Sequence, residues 1–162
     1  MGRAARAEGG RVSRVIGLDI ATKTGWCVWD GHEYVTGVID LSPTKNEPEG
    51  VRFLKAHRAY RYLLSDVDAA VIERTYSRGK RTAEILNGLT AIALSVLEES
   101  GTEYAFVDAT SLKKFATGKG TAKKPDMVRE AQRTLRSDNL TDDEADAFWL
   151  VRYWQDHMSE AA

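Results

Sequence analysis

RVIGLDIATKTGWCVWD, residues 14–30, decides how the whole chain is read. Val15-Ile16-Gly17-Leu18-Asp19-Ile20 is short, β-branched and followed by turn residues, the pattern of a buried strand. A carboxylate, Asp19, stands near its end. Residues 21–25, ATKTG, read as a turn, and Trp26-Cys27-Val28-Trp29 resumes as strand. Asp30-Gly31 is a two-residue hairpin signal, and residues 33–41 form a third strand. The chain thus opens as an antiparallel meander with an acid near the end of its first, central strand. A buried carboxylate is costly unless a cation or hydrogen bonds satisfy it. Asp19 either bonds the 22–25 turn or belongs to a charged site.

Outward from this stretch, the pattern alternates. Residues 42–50 hold two of the three prolines and read as a loop. Phe53, Ala56, Tyr60, Leu63 or Leu64, and Val67 recur at spacings of three and four, so 49–65 is an amphipathic helix. DAAVIE, 68–73, is a second buried strand, and it too ends in an acid, Glu73. Residues 75–81 form a polar loop carrying Tyr76. Residues 82–99 form a long helix with two adjacent apolar stripes, either wedged centrally or shared with a second subunit. Gly101 ends it. Residues 104–107 give a last strand, and Asp108 or Thr110 caps a helical turn through Lys113 and Phe115. TGKGTAKK, 117–124, is a Gly- and Lys-rich loop before a helix that opens at Pro125 and ends near Leu135. Residues 138–139 break it, and 141–157 form the last helix. Strands interleaved with helices predict an α/β fold: a mixed sheet, part antiparallel meander and part parallel, flanked by helices.

Composition narrows the classes. A chain of 162 residues is the size of one domain with a real core. Residues 1–13 are Gly-, Ala- and Arg-rich and aperiodic, the pattern of a disordered basic tail, which leaves one domain over 14–158. The first 13 residues have no apolar stretch, and no apolar run approaches a membrane span, so a cytoplasmic protein is expected. A single cysteine, Cys27, excludes an internal disulfide and argues against a cysteine-based zinc site. Net charge is −1, but it is segregated. Residues 113–136 carry eight basic residues against two acids, residues 74–81 carry four basic residues and no acid, and residues 138–162 carry seven acids against Arg152. Such segregation suits a polyanion-binding face beside an acidic pocket. Solvated helix faces are the plainer account of any single run.

Helical geometry selects among the acids. At 100° per residue, Asp143, Asp146, Ala147, Leu150 and Trp154 fall in one stripe. The stripe is apolar below, so Asp143 and Asp146 project from the packing face, while Asp142 and Glu144 point to either side. Thr141 and Glu144 make a capping box, and first-turn acids suit the helix dipole. Neither reason covers Asp146. Asp19, Glu73, Asp143 and Asp146 are thus expected to converge. Four such carboxylates call for hard divalent cations, and a pair of ions serves in-line displacement at a phosphodiester.

IGLDIATKTGW, AAVIERTY, SLKKFATGKGTAKK and DDEADAFWL, in this order and at these separations, resemble the RuvC-type Holliday junction resolvases of the ribonuclease H-like superfamily. The resemblance covers residues 14–155. It places catalytic, metal-holding acids at Asp19, Glu73, Asp143 and Asp146. Phosphate-contacting lysines fall at Lys113 or Lys114 and at Lys123 or Lys124, with Lys124 a candidate for stabilising charge at the scissile phosphate. A junction-probing aromatic falls at Tyr76, where Phe is more usual. The resemblance further implies a homodimer, Mg²⁺ or Mn²⁺ with two ions per site, and paired nicks in a four-way DNA junction. Arg74, Arg78, Lys80, Arg81 and Lys119 join the expected DNA-binding set through the basic runs. The departures from the usual pattern suit a phage-type or divergent member, for which the resemblance implies other branched DNA as substrate, and a nuclease for RNA or flaps is the nearest alternative. A junction-binding protein without catalysis fits poorly with four retained acids. DIATKTG also resembles the first phosphate loop of actin-like and sugar-kinase ATPases, but those need two such domains.

Overall fold

The computed structural model describes residues 14–74, 76–77 and 79–158. The expected basic tail at 1–13 lies outside the described residues. Among the described residues ten elements follow in chain order. β1 (Val15–Asp19), β2 (Lys23–Trp29) and β3 (Tyr34–Asp40) form the meander. Then come α1 (Val51–Leu63), β4 (Ala69–Arg74), α2 (Lys80–Ser100) and β5 (Glu103–Asp108). α3 (Ala109–Thr117), α4 (Lys124–Leu135) and α5 (Asp142–His157) close the chain. The strand order is β3-β2-β1-β4-β5, with β1 antiparallel to β2 and parallel to β4. The mixed sheet flanked by helices is the predicted fold class.

The two faces of the sheet bury different sets of residues. Because side chains alternate along a strand, Val15 faces one way and Ile16 and Leu18 the other. Val15, Ala69 and Val71 pack under α3, α4 and α5, with Phe148, Leu150 and Trp154 from α5. Ile16, Leu18, Ala70 and Ile72 pack under α1 and α2, with Tyr60, Leu89 and Leu97. The alternation therefore assigns Asp19 and Glu73 to the α5 face, in step with Val15 and Val71.

Several boundaries differ from the sequence reading. β2 begins at Lys23, so the turn after Asp19 is shorter than ATKTG suggested. The first hairpin is a four-residue loop, because Trp29 pairs with Tyr34. The Asp30 carboxylate accepts from the backbone N–H groups of His32 and Glu33, which stabilises the longer loop. α2 starts at Lys80, two residues early, so Lys80 and Arg81 belong to its first turn. α4 stops at Leu135 because Arg136 turns left-handed, at φ 53°, ahead of the expected break at 138–139. Asp108 sits at the N-cap of α3 but makes no side-chain cap there. The Thr141–Glu144 capping box of α5 forms as read.

α1 buries Arg52, Ala56 and Tyr60 on a strict four-residue spacing, with Phe53 only half-buried. Tyr60 is fully buried, and its hydroxyl meets the Thr24 hydroxyl at 3.1 Å. Thr24 donates in turn to the Ala21 carbonyl at 2.7 Å. Arg52 Nη1 donates to Thr22 Oγ1 at 3.1 Å. α1 thereby braces the turn that follows Asp19.

α5 lies on the sheet closely enough to exclude side chains. A Cβ on Gly17 would sit 2.2 Å from the Ala147 carbonyl oxygen, and one on Gly25 would sit 2.1 Å from that of Asp143. Both obstacles are backbone, which cannot swing aside. Gly25→Ala should therefore destabilise the fold by about 1–3 kcal/mol, the range for overpacking a close contact. Gly50→Ala, with nothing within 4 Å, serves as the control. Denaturant midpoints decide this, and equal midpoints for the two variants would mean that the helix does not need Gly25.

Candidate active site

The sheet and α5 bring the four predicted acids together. Leu18 pairs with Ile72, so Asp19 and Glu73 are the next residues out on neighbouring parallel strands. Asp19 is also paired across the antiparallel side with Gly25, the residue on which the Asp143 backbone rests. One turn further along α5 stands Asp146, with Ala147 and Leu150 buried below it. All four carboxylates are half-buried.

Their electrostatics report mutual proximity. Burial pushes Asp19 up to about 8, and the charges of Glu73, Asp146 and Asp143 push the same way. Burial, then Asp146, raises Glu73 to about 7. Burial also raises Asp146 to about 6, with Asp142 and Asp143 adding to it. Asp143 is raised as well, again first by burial. The cluster is thus a set of like charges that holds protons when nothing else neutralises it.

Few cations oppose them. Lys124 lowers all four acids, Lys113 lowers Glu73 and Asp146, and Lys23 lowers Asp143. The lysines that the sequence left as alternatives differ in where they stand. Lys113 and Lys124 stand beside the carboxylates, while Lys114 is exposed on α3 and Lys123 occupies the N-cap of α4. Lys119 is exposed in the loop between. Gly118 ends α3 in a left-handed turn at φ 79°, and Gly120 packs on Thr110, so both glycines serve the loop's own fold.

Tyr76 is 92% exposed between β4 and α2. Arg74 turns away from the acids: its Nε lies 3.3 Å from Asp108 and its guanidinium 5.0 Å from the Phe106 ring centre. Arg81 pairs with Glu49, and Lys80 is exposed. Arg78 lies outside the described residues. Sequence reasoning missed Lys23, Asp142 as the partner of Lys124, and Arg52 under the Asp19 turn. The four-residue spacing 52-56-60-64 was the available signal for Arg52.

Four carboxylates are hard oxygen donors, and their raised pKa values mark charge that the protein itself does not balance. By chemistry this set fits divalent ions such as Mg²⁺. Among the described residues, no three Asp, Glu, His or Cys side chains close around one point as they stand. No described helix is long and apolar enough to cross a membrane.

No protein-family model and no curated protein sequence matches the chain. Solved structures do. A Thermus thermophilus RuvC structure superposes with a TM-score of 0.70 at 19% identity, covering 88% of this chain and 95% of that one. T. thermophilus RuvC in complex with a Holliday junction substrate gives a TM-score of 0.72 at 19% identity, over 85% of this chain and 90% of that one. A Fowlpox virus resolvase in complex with Holliday junction DNA gives 0.55 at 13% identity, over 90% and 99%. The chain has the RuvC-type, ribonuclease H-like fold along most of its length.

The carboxylate cluster also sets how stability depends on pH. Asp19, Glu73 and Asp146 have folded pKa values above their ordinary values of 3.8 to 4.5. The folded chain therefore holds more protons than the unfolded chain between those values. Stability is full below the unfolded pKa values and falls as pH rises from about 4 to 8. Metal-free protein in EDTA should melt at lower temperature at about pH 8 than at about pH 5, and Asp19→Asn should remove much of the difference. A flat melting temperature across that window would show that these carboxylates are not buried together.

Proposed function

We propose that this protein is a structure-selective endonuclease that resolves four-way DNA junctions by paired, metal-dependent phosphodiester hydrolysis. The observation that carries this reading is the convergence of four half-buried carboxylates at the ends of β1 and β4 and on one face of α5, within a RuvC-type fold. Support comes from the neighbours, two of which hold Holliday junction DNA. Residues 14–158 act as one nuclease domain.

In this reading Asp19, Glu73, Asp143 and Asp146 hold two Mg²⁺ ions, with Mn²⁺ as a substitute. Bound there, the ions supply the charge neutralisation that an in-line displacement at phosphorus needs. Burial keeps the carboxylates in a fixed frame, and α5 orients two of them. Lys113 and Lys124 meet the phosphate beside the acids. Lys114, Lys119, Lys123, Arg78, Lys80 and Arg81 contact the backbone of the arms without reading sequence. Arg74, tied to Asp108, contributes charge rather than direct contact. Tyr76, exposed and unobstructed, stacks on a base at the crossover, a contact of about 1–3 kcal/mol.

The functional unit is a homodimer that joins through α2. Leu89, Ala93, Val96 and Leu97 of α2 are buried in the core, while Ile85 and Ile92 beside them, and Leu86, are only half-buried. A two-fold pair of sites suits a pseudo-symmetric junction.

Cleavage of a synthetic immobile junction, beside flap, duplex and RNA–DNA hybrid, tests the reading. Wild type with Mg²⁺ should nick the junction in preference. Single amide replacements at Asp19, Glu73, Asp143 or Asp146 should each cost at least about a hundredfold in rate, the scale of losing one preorganised charge-stabilising group. Junction binding should stay near wild type. Preferred cutting of the hybrid would move the function to RNA, and full activity of the Asp143 variant would discard the metal-site assignment. Tyr76→Ala should reduce base-analogue fluorescence change at the crossover with the fold intact. Sedimentation at micromolar concentration should give twice the mass of one chain, and a single-chain mass would reject the dimer.

A further inference from the structure

Lys124 is the first residue of α4, a poor place for a cation. Unpaired N–H groups make a helix N-terminus positive, which disfavours an ammonium there. The chain compensates from another element. Lys124 Nζ donates to Asp142 Oδ2 at 2.8 Å. Asp142 opens α5, whose dipole would account for an acid at that position. Glu144, half of the capping box, already fills that role in the same turn. The Asp142 carboxylate also takes up the Lys124 ammonium, joining the first turn of α5 to the first residue of α4. The pair is largely solvent-exposed, 62% and 46%, so it contributes little to stability.

Its consequence is geometric. A lysine is a point charge on a four-carbon stem with many rotamers. Tied to the first residue of α5, the ammonium stays beside the acids that follow on the same helix. All four carboxylates of the cluster sense its charge. We propose that Asp142 is a positioning residue that holds the Lys124 ammonium at the rim of the carboxylate cluster, where it meets the phosphate. The proposal rests on the nuclease reading above and adds a residue to it.

A double-mutant cycle tests it in single-turnover nicking of a four-way junction. Asp142→Asn should slow nicking by about tenfold, a modest share of what misplacing an oriented group can cost, and leave junction affinity within about twofold. Asp142→Glu should recover most of the rate. In a Lys124→Met background, Asp142→Asn should have no further effect. A wild-type rate for Asp142→Asn, or independent effects in the cycle, overturns the proposal. Acetylation of the lysine amines, followed by mass spectrometry, reads the pair without any substrate. Asp142→Asn should make Lys124 several-fold more reactive relative to Lys119. If wild type cuts no nucleic acid but Lys124 becomes more reactive, the nuclease reading fails and the positioning contact stands. If reactivity does not change, the positioning role fails whatever the substrate.

Discussion

Helix α5 meets the sheet backbone to backbone, and the site depends on that approach. Gly17 and Gly25 leave the space, one beneath Ala147 and the other beneath Asp143. Any side chain at either position would lift the helix from β1 and β2. The contact fixes the height of Asp143 and Asp146 above the strands, and thereby their distance from Asp19 and Glu73. Packed interiors move in discrete steps rather than yielding smoothly. A helix seated this closely holds its carboxylates more firmly than a loop could.

That rigidity gathers charge against its own repulsion. Burial raises each carboxylate first, and its neighbours add to the effect. The fold tolerates this because the apolar packing lies below the cluster, with Phe148, Leu150 and Trp154 buried along α5. The acids sit where the strands end. Apolar burial along the lower part of the helix offsets the cost of gathering like charges at its upper end.

The cations are distributed to match. Lys113 and Lys124 come from α3 and α4, which pack beside α5 on the same face of the sheet. They temper the cluster without neutralising it, since Asp19 still remains near 8. On the opposite face, α1 braces the turn after Asp19 through Tyr60, Thr24, Arg52 and Thr22. Basic residues at the rim and acids within make a surface that attracts a polyanion and a pocket that attracts small cations.

By itself the sequence determined the fold class and the order of elements, and it singled out the four acids that the fold brings near one another. Those features follow from local periodicity. Asp19 and Glu73 stand at the ends of short buried strands, and the 143-146-147-150 stripe dictates which side chains of α5 turn inward. Tertiary structure decided what depends on contacts between distant segments. That Lys113 rather than Lys114, and Lys124 rather than Lys123, stands beside the acids depends on how α3 and α4 lie against α5. The hairpin lengthened because Trp29 found Tyr34 across the strands, overriding the local Asp30-Gly31 preference. Arg74 was claimed by Asp108 and Phe106 on β5, a neighbour that the linear chain does not reveal. Gly17 looks like an ordinary strand glycine, and Gly25 like a turn glycine, until the helix lies on them. Periodicity is a property of one segment, whereas partner choice belongs to two, and only packing brings the second into view.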